Sequence, residues 1–362
     1  MSAPAAAVAS RRAVFHRLTV SRVERLCADA CAVSFDVPAS LSAAFAFRPG
    51  QYLTLRRFVG QVEERRSYSI CAPAGAGLRI GVRLVPGGLF SAWLTSQVRP
   101  GDEVEVLPPQ GSFTPSLEVP AHHCLIAAGS GITPVLSIVS SLLAASSRVT
   151  LLYGNRRTDT VMFADELAEL KDAYPARLQL LHVLSREPRE IELFSGRLDA
   201  ARLSSLLDTV VPWTSIDHWW LCGPFGMVQD ARSVLTARGV SPDRVHTELF
   251  YVDEPPPELV RAEPTFAGDG ATSAVTLILD GRATTLDLPR SMPILDAAQR
   301  VRGDLPFACK GGVCGTCRAR VVSGEVHMRR NFALEQAELD AGFALTCQAL
   351  PLTETLTINY DT

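Results

Sequence analysis

The chain has 362 residues, 47% apolar and 20% charged; this is ordinary globular usage, and it is more length than one hydrophobic core organises, so two or three domains are expected. A formal net charge of −3 and a pI near 6.2 supply no chain-wide basic field, and neither nucleic acid nor anionic lipid is expected as a partner. The most apolar long stretch, Leu125–Ala145, is broken by Gly129, Gly131 and Pro134, so it reads as strand, loop and helix and not as a membrane span.

Residues 1–11 read as a loose tail: their apolar part is short and precedes the arginines, the wrong order for a secretory signal. Nine cysteines, four of them in a ligand-like pattern, point to a reducing compartment, hence the cytoplasm.

From 12 to 118, period-two runs such as FHRLTVSRV, CAVSFDVP and DEVEVLPPQGSF alternate with Gly and Pro punctuation, which predicts a small antiparallel barrel. Within it, RRSYSI sets Arg66, Ser67, Tyr68 and Ser69 in succession. An arginine can pair with a pyrophosphate, an aromatic ring can stack on an isoalloxazine, and a hydroxyl can bond its edge. Further on, Gly87 and Gly88 precede the helix-like LFSAWL, whose free amides would approach a phosphate, with Ser91 adding a hydroxyl. Taken singly, each motif also fits a barrel strand with a surface arginine or a Gly-Gly turn; together they read as a flavin site.

From 119 to 251 buried strands alternate with amphipathic helices, the pattern of a parallel sheet covered on both faces. Its first strand runs into AAGSGITP, where Gly129 and Gly131 make a tight turn; Thr133 as N-cap and Pro134 at the first helical position are expected to open a helix aimed at a pyrophosphate. The loop departs from G-x-G-x-x-G, since Pro134 follows where a third glycine would stand and no acidic ribose clamp is evident. Arg156 and Arg157 after the next strand, and Ser185 and Arg186 after the third, would meet the adenosine ribose. Guanidinium groups suit a 2′-phosphate, so NADPH is favoured, while Glu187 beside Arg186 keeps NADH possible.

Residues 252–272, rich in Pro and acid, are expected to be a linker. The last stretch, 273–362, opens on AVTLILDGRATTLDL, whose Asp280-Gly281 pair predicts a hairpin with a type I′ turn. Cys309, Cys314 and Cys317 are spaced C-x4-C-x2-C, and Cys347 follows after 29 residues. Three thiolates on one tight loop and a distant fourth can enclose a 2Fe-2S cluster, the plant-type ferredoxin pattern. Structural zinc is the competing use of four thiols, but it draws on two short pairs and this sequence has one. Between residues 300 and 330, Arg300, Arg302, Lys310, Arg318, Arg320, Arg329 and Arg330 stand against Asp304 and Glu325, seven minus two, or +5. That surface is either a docking face for an acidic protein partner or a solvated face.

The ordered series R-x-Y-S, GG-x-x-S, AAGSGITP, YGNR, CGPFGM and the four cysteines resembles the ferredoxin-NADP reductase superfamily joined to a C-terminal ferredoxin module. Within it the chain is most similar to the reductase subunits of phenylacetyl-CoA epoxidase complexes, over DLPFACKGGVCGTCRARVVSGEV and LEQAELDAGFALTCQALPLT; reductases serving steroid 9α-hydroxylation share the architecture. The resemblance implies an antiparallel β-barrel binding FAD, an α/β parallel-sheet nicotinamide domain and an α+β, β-grasp-like 2Fe-2S domain. It also implies that Cys222 lies beside the nicotinamide, that Gly223 and Pro224 shape the turn there, and that Glu248 and Phe250 close the flavin site, making Ser69, Cys222 and Glu248 the expected catalytic set. Nicotinamide delivers two electrons as hydride and an iron-sulfur cluster takes one at a time, so a flavin between them converts one into the other. The implied function is electron transfer from NADPH through FAD and the cluster to an oxygenase component. A flavin and iron-sulfur redox sensor is the reading from another class.

Overall fold

The computed structural model describes residues 14–60, 62–250, 270–334 and 336–362; the expected tail and residues 252–269 of the expected linker lie outside them. Two compact units divide at this segment, Phe15–Tyr251 and the C-terminal unit from Val252.

The first unit begins with β1 (His16–Cys27), β2 (Ala30–Asp36), β3 (Tyr52–Val59), β4 (Val62–Ser69) and β5 (Arg79–Arg83), then helix α1 (Leu89–Ser96) and β6 (Glu103–Val106). The strands pair antiparallel in the order β4-β3-β6-β1-β2-β5, and a bridge between Ile70 and Ile80 joins the two edges, closing a barrel. Alternation explains the interior: Leu18 and Val20, Val33 and Phe35, Leu53 and Leu55, and Val104 and Val106 all point inward and are buried. Each such aliphatic side chain contributes about 1.5–3 kcal/mol by leaving water.

Next come β7 (His122–Ala128), α2 (Ile132–Ala144), β8 (Arg148–Asn155), α3 (Ala164–Ala173), β9 (Leu178–Leu184), α4 (Ala200–Thr209), β10 (His218–Cys222), α5 (Phe225–Ala237) and β11 (Val245–Glu248). The sheet is parallel throughout, ordered β11-β10-β7-β8-β9. Because α2 leads rightward to β8 and α5 leads leftward to β11, the strand order reverses between β7 and β10, the place beyond whose C-terminal strand ends open α/β sheets bind ligands. Helices α2 and α3 share one core with the sheet, while α4 packs on α5.

The C-terminal unit contains β12 (Thr272–Leu279), β13 (Arg282–Pro289), α6 (Ile294–Ala298), β14 (Arg318–Ser323), β15 (Val326–Met328), α7 (Gln336–Asp340), β16 (Phe343–Leu345), β17 (Ala349–Pro351) and β18 (Thr355–Asn359). Its main sheet is mixed, β13-β12-β18-β14-β16, with α6 packed over it and β15 pairing β17 apart. The expected hairpin is present, with Asp280 at φ 54° and Gly281 at φ 69°, both positive as a type I′ turn requires.

Candidate functional site

Strand β4 ends in the flavin-site run. Alternation puts Arg66 and Tyr68 on one side and Ser67 and Ser69 on the other. Arg66 is exposed, its guanidinium touching only the Arg65 carbonyl among the contacts described (2.7 Å), so its fork remains available to an anion. Arg65, by contrast, is buried against Glu63 at 2.7 Å. Tyr68 lies 6.0 Å from Phe90 of α1, and burial pushes its phenol well above its usual range. Ser67 sits 3.3 Å from the Thr54 hydroxyl. Gly87, at φ 73°, faces open space, and Gly88 is the N-cap of α1 without any side-chain cap, so the helix's first amides stay free for a phosphate. The Ser91 hydroxyl donates to the Gly88 carbonyl (3.2 Å) and accepts from the Val85 amide (3.0 Å), which holds it at this turn.

The glycine loop also needs correcting. Thr133 is not an N-cap; α2 already starts at Ile132, its N-cap is Gly131 with no side-chain cap, and Gly129–Gly131 form a 3-10 turn running into it. Thr133 and Pro134 are buried in the first helical turn, and the Thr133 hydroxyl donates to the Ser130 carbonyl at 3.0 Å. Pro134 fits because the first-turn amides need no helical partner. The helix starts earlier because Gly131 must pass the end of β10: a Cβ there would lie 2.1 Å from the Cys222 carbonyl oxygen. Close packing of two chain segments, at the place where the sheet order reverses, therefore fixes this glycine.

Beside that glycine, Cys222 ends β10 and pairs in register with Glu248 at the end of β11. Cys222 is fully buried, and burial, with the Glu248 carboxyl adding, holds its thiol protonated. Ser69, from the barrel, hydrogen-bonds the Glu248 carboxyl. Burial outweighs that bond and pushes Glu248 up to about 8, and Oε2 of Glu248 is sealed from solvent with no hydrogen-bond partner among the described residues. The structure thus brings Ser69, Cys222 and Glu248 together from the two lobes. Their chemistry, a protonated acid beside a hydroxyl and an inert thiol with one acid oxygen unpaired, suits the meeting point of a flavin and a nicotinamide. Gly223 packs against Met227 and Ala128, Pro224 is the N-cap of α5, and half-buried Phe250 packs on the nicotinamide-domain core. Arg156 and Arg157 after β8 and Arg186 after β9 are exposed side by side; the Arg186 amide bonds the Arg156 carbonyl at 2.8 Å, and the Ser185 amide bonds Asn155 at 2.9 Å. Glu187 accepts from the Thr158 amide (2.8 Å) and hydroxyl (2.7 Å), so its carboxylate is tied to a neighbouring turn.

In the C-terminal unit the loop carrying Cys309, Cys314 and Cys317 turns through positive φ at Lys310, Gly312 and Gly315. Cys309 neighbours Cys314 and Cys317 neighbours Cys347, and the Cys314 thiol meets the Thr316 hydroxyl at 3.2 Å. Among the described residues no three His, Cys, Asp or Glu side chains gather on one metal ion. Two dithiol pairs fit a two-iron cluster, each iron taking two thiolates beside bridging sulfide, better than a single tetrahedral zinc. The thiol of Cys314 and the amides of Gly311, Val313 and Cys314 push Cys309 down to about 5, and Cys347 is lowered first by the Cys317 thiol. Gln348 anchors the distant ligand: its amide nitrogen donates to the Lys310 carbonyl at 2.8 Å and approaches the Cys347 sulfur at 3.7 Å. On the other side of Cys347, Thr346 donates to the Cys317 carbonyl (3.0 Å) and receives the buried Tyr360 hydroxyl (3.0 Å). Sequence reasoning missed Thr346, Gln348 and Tyr360; the nearest signal was the place of the first two beside Cys347 in LTCQA. The basic surface is weaker than its count: Arg302 pairs with Asp304, Lys310 with Asp296 and Arg318 with Glu338. Arg300, Arg320, Arg329 and Arg330 have no ion pair among the described residues, and Arg329 and Arg330 lie on the segment wrapped against Gly312 and Gln348.

Comparison with known proteins agrees with this layout. Residues 17–114 match the oxidoreductase FAD-binding domain, 125–233 the oxidoreductase NAD-binding domain and 277–352 the 2Fe-2S iron-sulfur cluster binding domain. A 1,2-phenylacetyl-CoA epoxidase component from Escherichia coli (strain K12) is 42% identical over 353 residues, 96% of this chain and 98% of that protein. The ferredoxin reductase component of 3-ketosteroid-9-alpha-monooxygenase from Mycobacterium tuberculosis (strain CDC 1551 / Oshkosh) is 37% identical over 87% of this chain and 86% of its own. In fold the chain is similar to phthalate dioxygenase reductase, with a TM-score of 0.60, 24% identity, and 95% of this chain and 98% of that one covered. No helix among the described residues is long and apolar enough to cross a membrane. The chain belongs to the ferredoxin-NADP reductase superfamily, among the electron-transferring oxidoreductases that carry FAD-binding, NAD-binding and 2Fe-2S domains in one polypeptide.

Proposed function

We propose that this chain is the reductase component of a phenylacetyl-CoA epoxidase, drawing electrons from NADPH in the cytoplasm and delivering them to the oxygenase component. The observation that carries this reading is 42% identity to an epoxidase component along nearly the full length, in one chain that holds the four cysteines and the Ser69–Glu248–Cys222 cluster. A flavin held by the barrel would supply the conversion of a hydride's two electrons into single electrons, and Cys309, Cys314, Cys317 and Cys347 would hold the 2Fe-2S cluster that accepts them. Arg66 and the free amides of α1 would hold the flavin's pyrophosphate, and Tyr68 and Ser69 would meet its ring. The Gly129–Gly131 turn and the first turn of α2 receive the dinucleotide's pyrophosphate, and Gly223 and Pro224 set the height of its nicotinamide. Glu248 keeps its proton near neutrality and can donate a hydrogen bond where water must be excluded; Cys222 keeps its own and offers no competing nucleophile. Arg156, Arg157 and Arg186 form the cationic seat for a 2′-phosphate, with Ser185 beside them.

Docking follows from Arg300, Arg320, Arg329 and Arg330, which have no ion pair among the described residues. Arg329 and Arg330 border both cluster-bearing segments, so an acidic partner surface would be steered towards the cluster, and salt would weaken the encounter. The test is NADPH-driven turnover of phenylacetyl-CoA with purified epoxidase oxygenase components, run beside a steroid 9α-hydroxylating oxygenase. Turnover with the first is expected; turnover with the second alone reassigns the partner. An electron-transfer rate indifferent to ionic strength and to Arg329→Glu overturns the acidic docking face.

A further inference from the structure

The barrel and the nucleotide domain meet along a seam, within one compact unit, away from the Ser69–Glu248 contact. On the barrel side stands Arg79, the first residue of β5, its side chain 18% exposed. Its guanidinium takes Glu166 of α3 in a fork, Nη1 to Oε2 at 2.9 Å and Nη2 to Oε1 at 2.8 Å, and lies 5.3 Å above the Phe163 ring. Phe163, the N-cap of α3, is held in the left-handed region (φ 58°, ψ 34°) while 2% exposed; an aromatic residue stays there only where its surroundings leave no alternative. Beneath it, a Cβ at Gly81 would lie 2.4 Å from the Thr133 methyl and 3.0 Å from Phe163. Thus β5, the start of α2 and the start of α3 interlock at van der Waals distance.

The two sides of this seam lead back to the reaction site. The Arg79 carbonyl accepts the Cys71 amide at 2.9 Å, and Ile80 bridges Ile70, the residue after Ser69. On the other side, Phe163 shares a core with Cys222 and with α2, and α2 begins against the Cys222 carbonyl. We propose that Arg79 and Glu166 are positioning residues for hydride transfer, a bidentate clamp fixing the angle between the flavin lobe and the nicotinamide lobe. The clamp rests on the reading above, in which flavin sits in the barrel and nicotinamide in the α/β domain. A fork with two parallel charge-assisted hydrogen bonds restrains orientation as well as distance, and hydride transfer falls steeply when donor and acceptor are displaced by an ångström.

The experiment uses the full-length holoprotein and Glu166→Gln, with Glu24→Gln as control. Glu24 lies on the barrel's own β1 and also meets Arg79, at 3.3 Å, so its loss removes charge from the same arginine without cutting the seam. Anaerobic rapid mixing with NADPH is expected to show flavin reduction slowed about tenfold or more in Glu166→Gln. The long-wavelength flavin–nicotinamide charge-transfer absorbance should fall too, the NADP⁺ dissociation constant should stay within about twofold, and Glu24→Gln should behave as the wild type. Arg79→Lys, which keeps the charge and loses the fork, should be intermediate. An unaltered reduction rate in Glu166→Gln, equal slowing by both glutamine variants, or a dissociation constant raised by the same factor as the rate falls overturns the clamp. Wild-type flavin that NADPH leaves oxidised overturns the reductase reading and the clamp with it.

Discussion

Replacing Glu248 by Gln keeps the side chain's shape and removes its titration. In the folded chain the carboxyl is raised, chiefly by burial, from its ordinary 4.5 to about 8. Between those values the folded chain keeps a proton that the unfolded chain has released, so this group's contribution is most favourable at and below pH 4.5 and is lost as pH rises to 8. At about 1.4 kcal/mol per pH decade, the full loss is about 5 kcal/mol at most, with about 3 kcal/mol gone by pH 7. His123 imposes the opposite limb: burial, with His218 next, lowers it from 6.5 to about 4, so its stability is present above 6.5 and lost as pH falls towards 4. Burial lowers His122, His182 and His246 as well, and their limb tails past pH 6.5, so it is the difference between the wild type and Glu248→Gln from pH 6.5 to 8 that isolates Glu248. All four tryptophans, Trp93, Trp213, Trp219 and Trp220, lie in the first unit, so urea unfolding followed by tryptophan emission reports on that unit alone. The wild type should lose stability relative to Glu248→Gln across the window, while an infrared carbonyl band of a protonated carboxyl present at pH 7 should vanish in the variant. Parallel pH slopes in the two proteins would refute the buried, protonated acid.

Cys347→Ser removes the second thiolate of one pair; iron and acid-labile sulfide should fall to background while NADPH still reduces the flavin, and retention of a full cluster would contradict the pairing. Arg157→Ala with Arg186→Ala should raise KM for NADPH at least about tenfold while NADH changes little, and equal effects on both would refute the 2′-phosphate seat. Gly131→Ala forces a Cβ towards the Cys222 carbonyl, 2.1 Å away in the present backbone. It should cost about 1–3 kcal/mol and lower the melting temperature of the nucleotide-free protein by roughly 2–8 °C. A glycine kept only for phosphate approach would leave that temperature unchanged.

What the sequence disclosed depended on how local each feature is. The period-two runs of the barrel, the strand–helix alternation after residue 121 and the Asp280-Gly281 turn are set by neighbours a few residues apart, and their elements stand where the pattern put them. The cluster ligands were legible because three of the four share one loop. Their division into Cys309/Cys314 and Cys317/Cys347 was not, since it depends on how Thr346 and Gln348 dock a strand end on that loop. The helix start at Ile132 was misjudged for a related reason: Thr-Pro is a good local start signal, but the approach of β10 decides where the chain turns, and β10 is some ninety residues away.

Charge was the least legible quantity. Counting residues 300–330 gave +5, yet three of the seven cations are matched, by Asp296, Asp304 and Glu338, two of which lie outside the counted window. A linear window assigns charge by sequence distance, whereas the field at a surface depends on spatial neighbours within about a Debye length, roughly 8–10 Å. What survives is smaller and better placed: Arg329 and Arg330 on the segment that covers both ligand-bearing stretches, with no carboxylate paired to them among the described residues. Two charges at the edge of a cluster steer an encounter more usefully than seven spread over a domain, because orientation, and not net attraction, decides whether electrons cross. Charge reversal at Arg329 should therefore slow electron delivery far more than the same reversal at Arg320, which is exposed on β14; equal slowing at both would mean that bulk charge governs docking.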